Sequence, residues 1–186
     1  MWELVKLYTQ IALLRRGPQD LPASMLLLVL TVIAYLAMNL LMNSLLPPAG
    51  VPEGGAKVSD ADASSWPAQL LLDSAFTLVW YAVLLRAARR PERTLQTITA
   101  VFGFQIVLAP LLFFSSWLWP RFMHDSTWGV PVALFGIVLL VWLIAANSHI
   151  VKVALEWSGG ASVALVILQI LAGELLRRAL FFSAAG

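Results

Sequence analysis

Two acidic residues, Asp73 and Glu174, lie within long apolar segments of this chain. A carboxylate inside a membrane-spanning helix is expensive to bury, so it indicates a functional site by default. The available chemistry is proton or ion handling, or a polar groove that receives a lipid headgroup. The alternative is a structural clamp, in which ion pairs with arginine hold helices together. We favour the clamp, because both acids lie about two helical turns or less from the predicted membrane surface.

The arginines that could complete this clamp are Arg177, Arg178 and Arg121. Glu174 precedes Arg177 and Arg178 by three and four residues, and this spacing brings the three side chains onto one helix face. The sequence therefore predicts an interhelical polar cluster with four members: Asp73, Glu174, Arg177 and Arg178.

Four arginines in one short polar segment form the clearest charged feature of the chain: Arg86, Arg89, Arg90 and Arg93. Cations beside a membrane helix attract anionic lipid headgroups, each contributing about 1 kcal/mol near the surface. We favour this lipid contact, which also orients the neighbouring helices. Docking of an acidic partner is the second use, and the two are compatible.

Uncharged polar side chains inside the apolar segments are predicted to hydrogen-bond between helices: Asn39, Asn43, Gln105 and Gln169. The two histidines, His124 and His149, are predicted to lie on opposite sides of the membrane, so they cannot share a metal ion. The chain has no cysteine, which excludes disulfides and thiolate ligands. No protease, hydrolase or phosphate-binding motif is present. The sequence thus predicts no catalytic residue, no metal and no cofactor, and a membrane enzyme is the least favoured class.

Five apolar segments must position these residues, and each is long enough to cross a bilayer. A hydrocarbon core about 30 Å thick requires roughly 20 apolar residues of helix. The chain is 60% hydrophobic and 12% charged, whereas soluble domains are about 25% charged. We therefore predict an all-α, polytopic integral membrane bundle that forms a single domain over residues 1–186. The predicted transmembrane helices cover residues 21–46, 66–85, 98–119, 129–147 and 161–180.

Residues 1–16 are predicted to form an amphipathic helix that lies in the plane of the membrane interface. Leu4, Leu7 and Ile11 recur at helical spacing on one face. Packing of this helix against the bundle is favoured over docking of lipid or a partner. A Gly-Pro pair then breaks the helix, and Asp20 and Pro22 are predicted to cap and begin the next one.

The distribution of Lys and Arg predicts a cytoplasmic N-terminus and an external C-terminus. In this orientation, eight of the twelve Lys and Arg face the cytoplasm, including the four arginines of the segment Arg86–Arg93. Arg177 and Arg178 then lie at the external end and oppose the rule. Cations at helix ends suit lipid headgroups better than nucleic acid.

Near the C-terminus, a helix bearing Trp142 runs into a polar turn with His149, then into the link LEWSGGAS at Leu155–Ser162 and an Ala/Leu/Ile-rich helix. This arrangement over Val141–Leu180 resembles the C-terminal part of bacterial relatives of the Yip (Ypt-interacting protein) family. The resemblance implies five spans, a cytoplasmic N-terminus, an external C-terminus and a non-catalytic role. Eukaryotic members carry a longer N-terminal region with a DLYGP-type motif that this chain does not match. The resemblance therefore transfers neither a trafficking role nor a functional residue.

These observations together predict a non-enzymatic integral membrane protein of a bacterial-type inner membrane. It would act as a scaffold or accessory subunit whose partners are membrane lipids and other membrane proteins. The alternative is a small transporter or lipid-handling subunit, in which Asp73 and Glu174 line an external polar groove.

Overall fold

Six α-helices and two short 3-10 turns make up the described part of the chain, residues 2–45, 66–123 and 125–181 of a computed structural model. The described residues contain no β-strand. The turns cover Pro18–Asp20 and Pro91–Arg93. The helices are α1 (Trp2–Ala12), α2 (Met25–Leu45), α3 (Trp66–Ala87), α4 (Thr94–Phe122), α5 (Gly129–Leu155) and α6 (Gly159–Phe181).

Helices α2 to α6 are each long and apolar enough to cross a membrane, which confirms the prediction of an all-helical protein with five candidate spans. The mean hydropathy of their most apolar windows runs from 1.6 in α3 to 2.5 in α5. Half of the α4 window is buried inside the protein, against 11% to 17% in the other four helices. The other four therefore turn most of their apolar surface outward, as helices in lipid do.

Helix α4 lies at the centre of the bundle. Helices α1, α2, α3 and α5 all pack against α4, whereas α6 packs against α3 and α5. Because α3 and α5 each contact both α4 and α6, the helices α3 to α6 form a four-helix ring. Helix α2 adds to the outside of this ring along α4.

Buried residues are concentrated toward one end of the bundle, which we call the closed end. The closed end, here named the α1 end, contains α1, the segment Arg86–Arg93 and the turn between α5 and α6. The other end, named the Trp66 end, contains the start of α3 and the end of α6. In the fully described helix α4, buried residues run from Thr97 to Leu108, and none follows between there and Phe122. Most of the largest fully buried side chains belong to the closed half: Ile11, Leu21, Tyr81, Leu85, Phe102, Phe104, Ile150, Val151 and Val166.

Helix α2 begins after residue 24 rather than at residue 21, and the predicted start signals were wrong. The Asp20 carboxylate accepts a hydrogen bond from the Gly17 N–H at 3.2 Å, which closes the preceding 3-10 turn. Ser24 is the N-cap instead, and its Oγ accepts from the Leu27 N–H at 3.4 Å. Pro22 lies in the link between the 3-10 turn and α2. The residues that were predicted to start the helix belong to this turn and link instead.

Helix α5 continues well past the predicted limit at residue 147. The polar residues that follow this position read as the end of a span. The helix nevertheless continues, because its next turns bury an apolar face against the closed end of the bundle. The residues of this face are Ile150, Val151, Ala154 and Leu155.

Helix α1 ends at Ala12, short of the predicted limit at residue 16, because Leu14 adopts a left-handed conformation with φ of 61°. Tyr8 and Ala12 are buried against the bundle. The hydroxyl groups of Tyr8 and Thr31 share a hydrogen bond of 2.9 Å, and Trp142 Nε1 donates to the Ala12 carbonyl at 2.7 Å. The helix thus packs on the bundle, while its amphipathic placement in the membrane interface stays a prediction.

Three helices finish at the α1 end with a left-handed residue that is not glycine: Leu14, Arg89 and Glu156, with φ of 61°, 58° and 58°. After α3, the Arg90 N–H donates to the Leu85 carbonyl at 2.8 Å, which is the outer bond of a Schellman motif. Glycine is the favoured residue at this position, because a Cβ in the left-handed region costs roughly 1–2 kcal/mol.

We therefore expect Arg89→Gly to raise the free energy of unfolding by about 0.5–1 kcal/mol, the relief of strain being partly offset by the entropy of glycine in the unfolded chain. The Arg89 side chain is exposed, so little packing is lost. Unfolding in detergent would measure the change. Arg86→Gly is the matched control, and it should lower stability by ~1 kcal/mol because Arg86 lies inside α3. Equal losses for both variants would contradict the prediction.

Candidate functional site

Polar side chains from all four helices of the ring converge on its centre. They line a cavity of about 350 Å³, here named the polar groove. Its apolar lining includes Phe76 from α3 and Val166 from α6. Its polar and charged lining consists of Asp73, Thr77, Gln105, Asn147, Gln169, Glu174 and Arg177.

The polar groove reaches from near the Trp66 end to the middle of the bundle. Asp73 lies about two turns into α3 and Glu174 about two turns before the end of α6, so each lies roughly 10 Å from its helix end. Gln105 lies close to the middle of α4. Val166 is buried where the groove meets the closed half of the bundle.

Glu174 forms ion pairs within α6. Arg177 donates to Oε2 of Glu174 through Nε at 3.1 Å and also through Nη2. Arg178 donates to Oε1 through Nε at 2.7 Å. These bonds follow the spacing of one helical turn, so they do not join two helices. Arg177 lines the groove, whereas the Arg178 side chain is 70% exposed.

Asp73 forms no salt bridge to any residue that the structure describes. It is exposed at the rim of the groove, close enough to Arg177 for an electrostatic interaction. Arg121, the third predicted partner, instead lies over the Trp117 ring, with Cζ 4.2 Å from the ring centroid. Asp73, Glu174 and Arg177 therefore line one groove, but no salt bridge joins Asp73 to either of the others within the described residues.

Amide side chains line the deeper part of the groove. The side-chain oxygens of Asn147 and Gln169 are buried and accept no hydrogen bond from the described residues. A buried polar atom without a partner costs about 1–3 kcal/mol. Other buried polar atoms of the described residues, such as the Tyr81 and Thr99 hydroxyls, are likewise without a partner. The two amide oxygens are closed off from the groove, so their missing hydrogen bonds are a cost of packing and do not mark a ligand site.

A second cavity, of about 380 Å³, lies between α2, α4 and α5. Gln105 and Asn147 line both cavities, so the two meet at these amides. Asn39 and Asn43 also line the second cavity, but each donates to a backbone carbonyl one turn earlier in α2, at 2.9 Å. The prediction that these two amides bond between helices is therefore wrong, because the carbonyls of their own helix lie within reach.

Arg90 and Arg93 are engaged inside the protein. Arg90 donates to both carboxylate oxygens of Glu156, at 3.0 and 2.5 Å. Arg93 donates to Glu156 Oε1 at 2.7 Å and to the carbonyls of Val153 and Ala154 at 3.1 Å each. Arg93 therefore caps the C-terminus of α5, where a cation also complements the helix dipole.

Arg86 and Arg89 are both exposed at the α1 end. No salt bridge involves either of them within the described ranges. Of the four arginines predicted to dock lipid or a partner, these two keep their charge available, and the docking role stays a prediction for them.

The ion pairs of Glu156 with Arg90 and Arg93 should be lost at low pH, when the carboxylate is protonated. Hydrogen bonds from Arg90 and then from Arg93 hold the pKa of the Glu156 carboxyl below its usual value of 4.5. A group with a lowered pKa in the folded state stabilises the fold above its unfolded pKa and loses that contribution as the pH falls through the folded pKa. We expect Glu156→Gln to melt below the wild type at pH 7, and this gap should close as the pH falls below 4.5 and through the lowered pKa of the Glu156 carboxyl. Thermal unfolding in detergent tests this, with exposed Glu92→Gln as the control that shows no such gap.

No three His, Cys, Asp or Glu side chains come together to form a possible metal site within residues 2–45, 66–123 and 125–181. His149 Nε2 lies 3.2 Å from the Arg16 carbonyl oxygen. His124 and the predicted first loop over residues 47–65 lie outside the described residues.

Comparison of the chain with family models, curated proteins and solved structures finds no match. The groove geometry is therefore the basis for assigning a function.

Proposed function

We propose that this chain is a non-enzymatic integral membrane protein that handles lipids through the polar groove. One observation carries the proposal: charged and amide side chains from four helices line a single cavity in a bundle whose outer surface is apolar. Ionisable side chains at membrane depth are costly, and they are found where a bundle interior serves an ion, a substrate or a headgroup.

The groove also has the properties of a ligand site. Its volume of about 350 Å³ falls in the range of small-molecule pockets. The exposed Asp73 carboxylate forms no salt bridge with any described residue. An occupant that donates hydrogen bonds would satisfy this carboxylate, and the polar side chains of Thr77 and Gln105 line the same cavity. We assign no catalytic residue, metal or cofactor to the groove.

We further propose that the protein lies in a bacterial-type inner membrane with its N-terminus in the cytoplasm and its C-terminus outside. In this orientation, Arg86 and Arg89 at the α1 end face the cytoplasm, as the positive-inside rule favours. The groove then opens toward the outer leaflet. Membership of the Yip family stays a prediction.

Replacement of the groove amides tests the function. We expect Gln105→Leu combined with Gln169→Leu to reduce the phospholipid retained by the purified protein by roughly tenfold, which corresponds to about 1.4 kcal/mol. Native mass spectrometry of protein released from nanodiscs would measure retention. Asn39→Leu combined with Asn43→Leu is the matched control, because these amides line the second cavity alone. Equal retention in all three proteins would contradict a lipid-handling groove.

A scaffold or accessory role is the second candidate, and the exposed pair Arg86 and Arg89 favours it. Under this role, partners would be other membrane proteins with acidic cytoplasmic segments. Crosslinking in the native membrane should then identify neighbours that disappear when Arg86→Gln and Arg89→Gln are combined. Unchanged neighbours would count against docking through this pair.

A further inference from the structure

We infer that the polar groove binds the headgroup of a zwitterionic phospholipid with a primary ammonium, placing the ammonium at Asp73 and the phosphate at Arg177. This inference rests on the proposed lipid-handling function and names the class of lipid. It follows from three features of the groove: which charges are already paired, which donors and acceptors remain, and how the rim is exposed.

The charges of the groove are unequally paired. Glu174 accepts hydrogen bonds from both Arg177 and Arg178, so two positive charges surround one negative charge. Asp73, which also lines the groove, forms no salt bridge within the described residues. The groove therefore presents one anion without an ion-pair partner and one cation whose charge is only partly used. A ligand that carries both signs matches this arrangement, and a ligand of one sign does not.

Arg177 keeps donors for a phosphate. Its bonds to Glu174 use Nε and Nη2, and no hydrogen bond of its Nη1 is formed within the described residues. A guanidinium has five N–H donors in a planar fork that suits phosphate oxygens. The ion pair with Glu174 also fixes the orientation of the fork, so little side-chain entropy remains to be lost on binding.

The other side of the groove fits a primary ammonium. Such a group has three N–H donors, and the groove offers the Asp73 carboxylate together with the Thr77 hydroxyl and the Gln105 amide. A quaternary ammonium is recognised by a cage of aromatic rings, but Phe76 is the one aromatic side chain among the described groove residues. An anionic headgroup without an amine, such as phosphatidylglycerol, could donate hydroxyl hydrogen bonds to Asp73 but brings a net negative charge and no cation to pair with it.

The rim of the groove allows a lipid to enter from the side. Asp73 is exposed on α3, and the outer surfaces of α3 and α6 carry exposed leucines, including Leu71 and Leu175 at 59% and 68%. These leucines offer apolar surface to acyl chains while the headgroup turns inward. Because Asp73 lies roughly 10 Å from the helix end, the bound headgroup would lie deeper in the membrane than the other headgroups of the same leaflet.

The test measures headgroup preference directly. Protein is reconstituted in nanodiscs that contain equal amounts of phosphatidylethanolamine, phosphatidylglycerol and phosphatidylcholine, and the retained lipids are quantified by native mass spectrometry. We expect the wild type to retain phosphatidylethanolamine about tenfold over each of the others, a factor worth ~1.4 kcal/mol. This comparison needs no variant, so it does not depend on a variant folding.

Two variants with matched controls then assign the contacts. Asp73→Asn should abolish the preference over phosphatidylglycerol, whereas Asp125→Asn removes a charge outside the groove and should leave the preference unchanged. Arg177→Gln should weaken retention of all three phospholipids, because all carry phosphate. Arg178→Gln removes the same charge outside the groove and leaves Arg177 as the partner of Glu174 among the described residues, so it should weaken retention less than Arg177→Gln does.

Three results would overturn the inference. Equal retention of all three lipids that still depends on Gln105 and Gln169 would refute the headgroup class and leave the lipid-handling function standing. Retention that no groove variant alters would refute both. Competition by soluble glycerophosphoethanolamine at the affinity of the lipid would show that the ligand is a free zwitterion rather than a phospholipid.

Discussion

One added methyl group at Gly103 is expected to release α1 from the bundle. Gly103 lies in the buried part of α4, and a Cβ at this position would overlap the aromatic ring of Tyr8. The ring cannot simply turn away, because its hydroxyl is hydrogen-bonded to buried Thr31. Overpacking of a core contact costs about 1–3 kcal/mol, which would shift the docking equilibrium of α1 by roughly tenfold or more.

A thiol at position 11 measures this release. Ile11 in α1 is fully buried at 0% exposure, and the chain has no cysteine of its own, so Ile11→Cys would be the single reactive site. In detergent, we expect Gly103→Ala to raise its labelling rate by roughly tenfold. Gly160→Ala is the matched control, since a Cβ there meets nothing within 4 Å.

A compensating change at Tyr8 separates this clash from general destabilisation. Tyr8→Ala alone should also loosen α1, because it removes a buried ring and its hydrogen bond. Combined with Gly103→Ala, however, the two changes should cost less than their sum, since the ring that overlaps the new methyl group is gone. Strict additivity, or slow labelling in Gly103→Ala, would show that α1 does not depend on this contact.

Accessibility to an impermeant thiol reagent should differ in an all-or-none manner between the two ends of the bundle. Arg89→Cys lies at the α1 end and Thr127→Cys in the turn between α4 and α5, and both positions are exposed. With the N-terminus in the cytoplasm, intact cells should label Thr127→Cys and leave Arg89→Cys unlabelled, because the bilayer excludes a charged reagent. Ser64→Cys, in the predicted external loop, should label together with Thr127→Cys.

Permeabilised cells provide the control for this experiment. Once the membrane is opened, Arg89→Cys should label as fully as Thr127→Cys, which shows that the thiol is present and reactive. Labelling of Arg89→Cys alone in intact cells would reverse the orientation. The groove would then open toward the cytoplasmic leaflet, although its chemistry would be unchanged.

Local patterns predicted the elements of this protein well. Each of the five candidate spans is a predominantly apolar segment, and such a segment forms a helix in lipid because every backbone polar group must be satisfied within it. The pairing of Glu174 with Arg177 and Arg178 also followed from spacing alone, since these residues lie one turn apart on α6. Boundaries were less accurate at the start of α2, where Ser24 rather than Asp20 provides the cap.

Contacts between distant segments were not predicted. The sequence predicts no contact for Glu156, yet its carboxylate pairs with Arg90 and Arg93 from another part of the chain. Gln105 and Gln169 were assigned to pairwise bonds between helices, whereas Asn147 was read as the end of a span. Their meeting in one cavity depends on how α4, α5 and α6 are rotated about their axes, and no spacing within one helix encodes that rotation.

The amino-acid sequence alone determined an all-helical protein with five helices long and apolar enough to cross a membrane, because hydrophobicity and helical period are properties of neighbouring residues and act on each segment independently. The fold alone established that α3 to α6 close into a ring, that the ring opens toward the Trp66 end, and that Asp73 enters it without an ion-pair partner among the described residues. These features arise from the choice of one packing face over another along each helix. That choice depends on side chains from several segments at once, such as the contact of Gly103 with Tyr8.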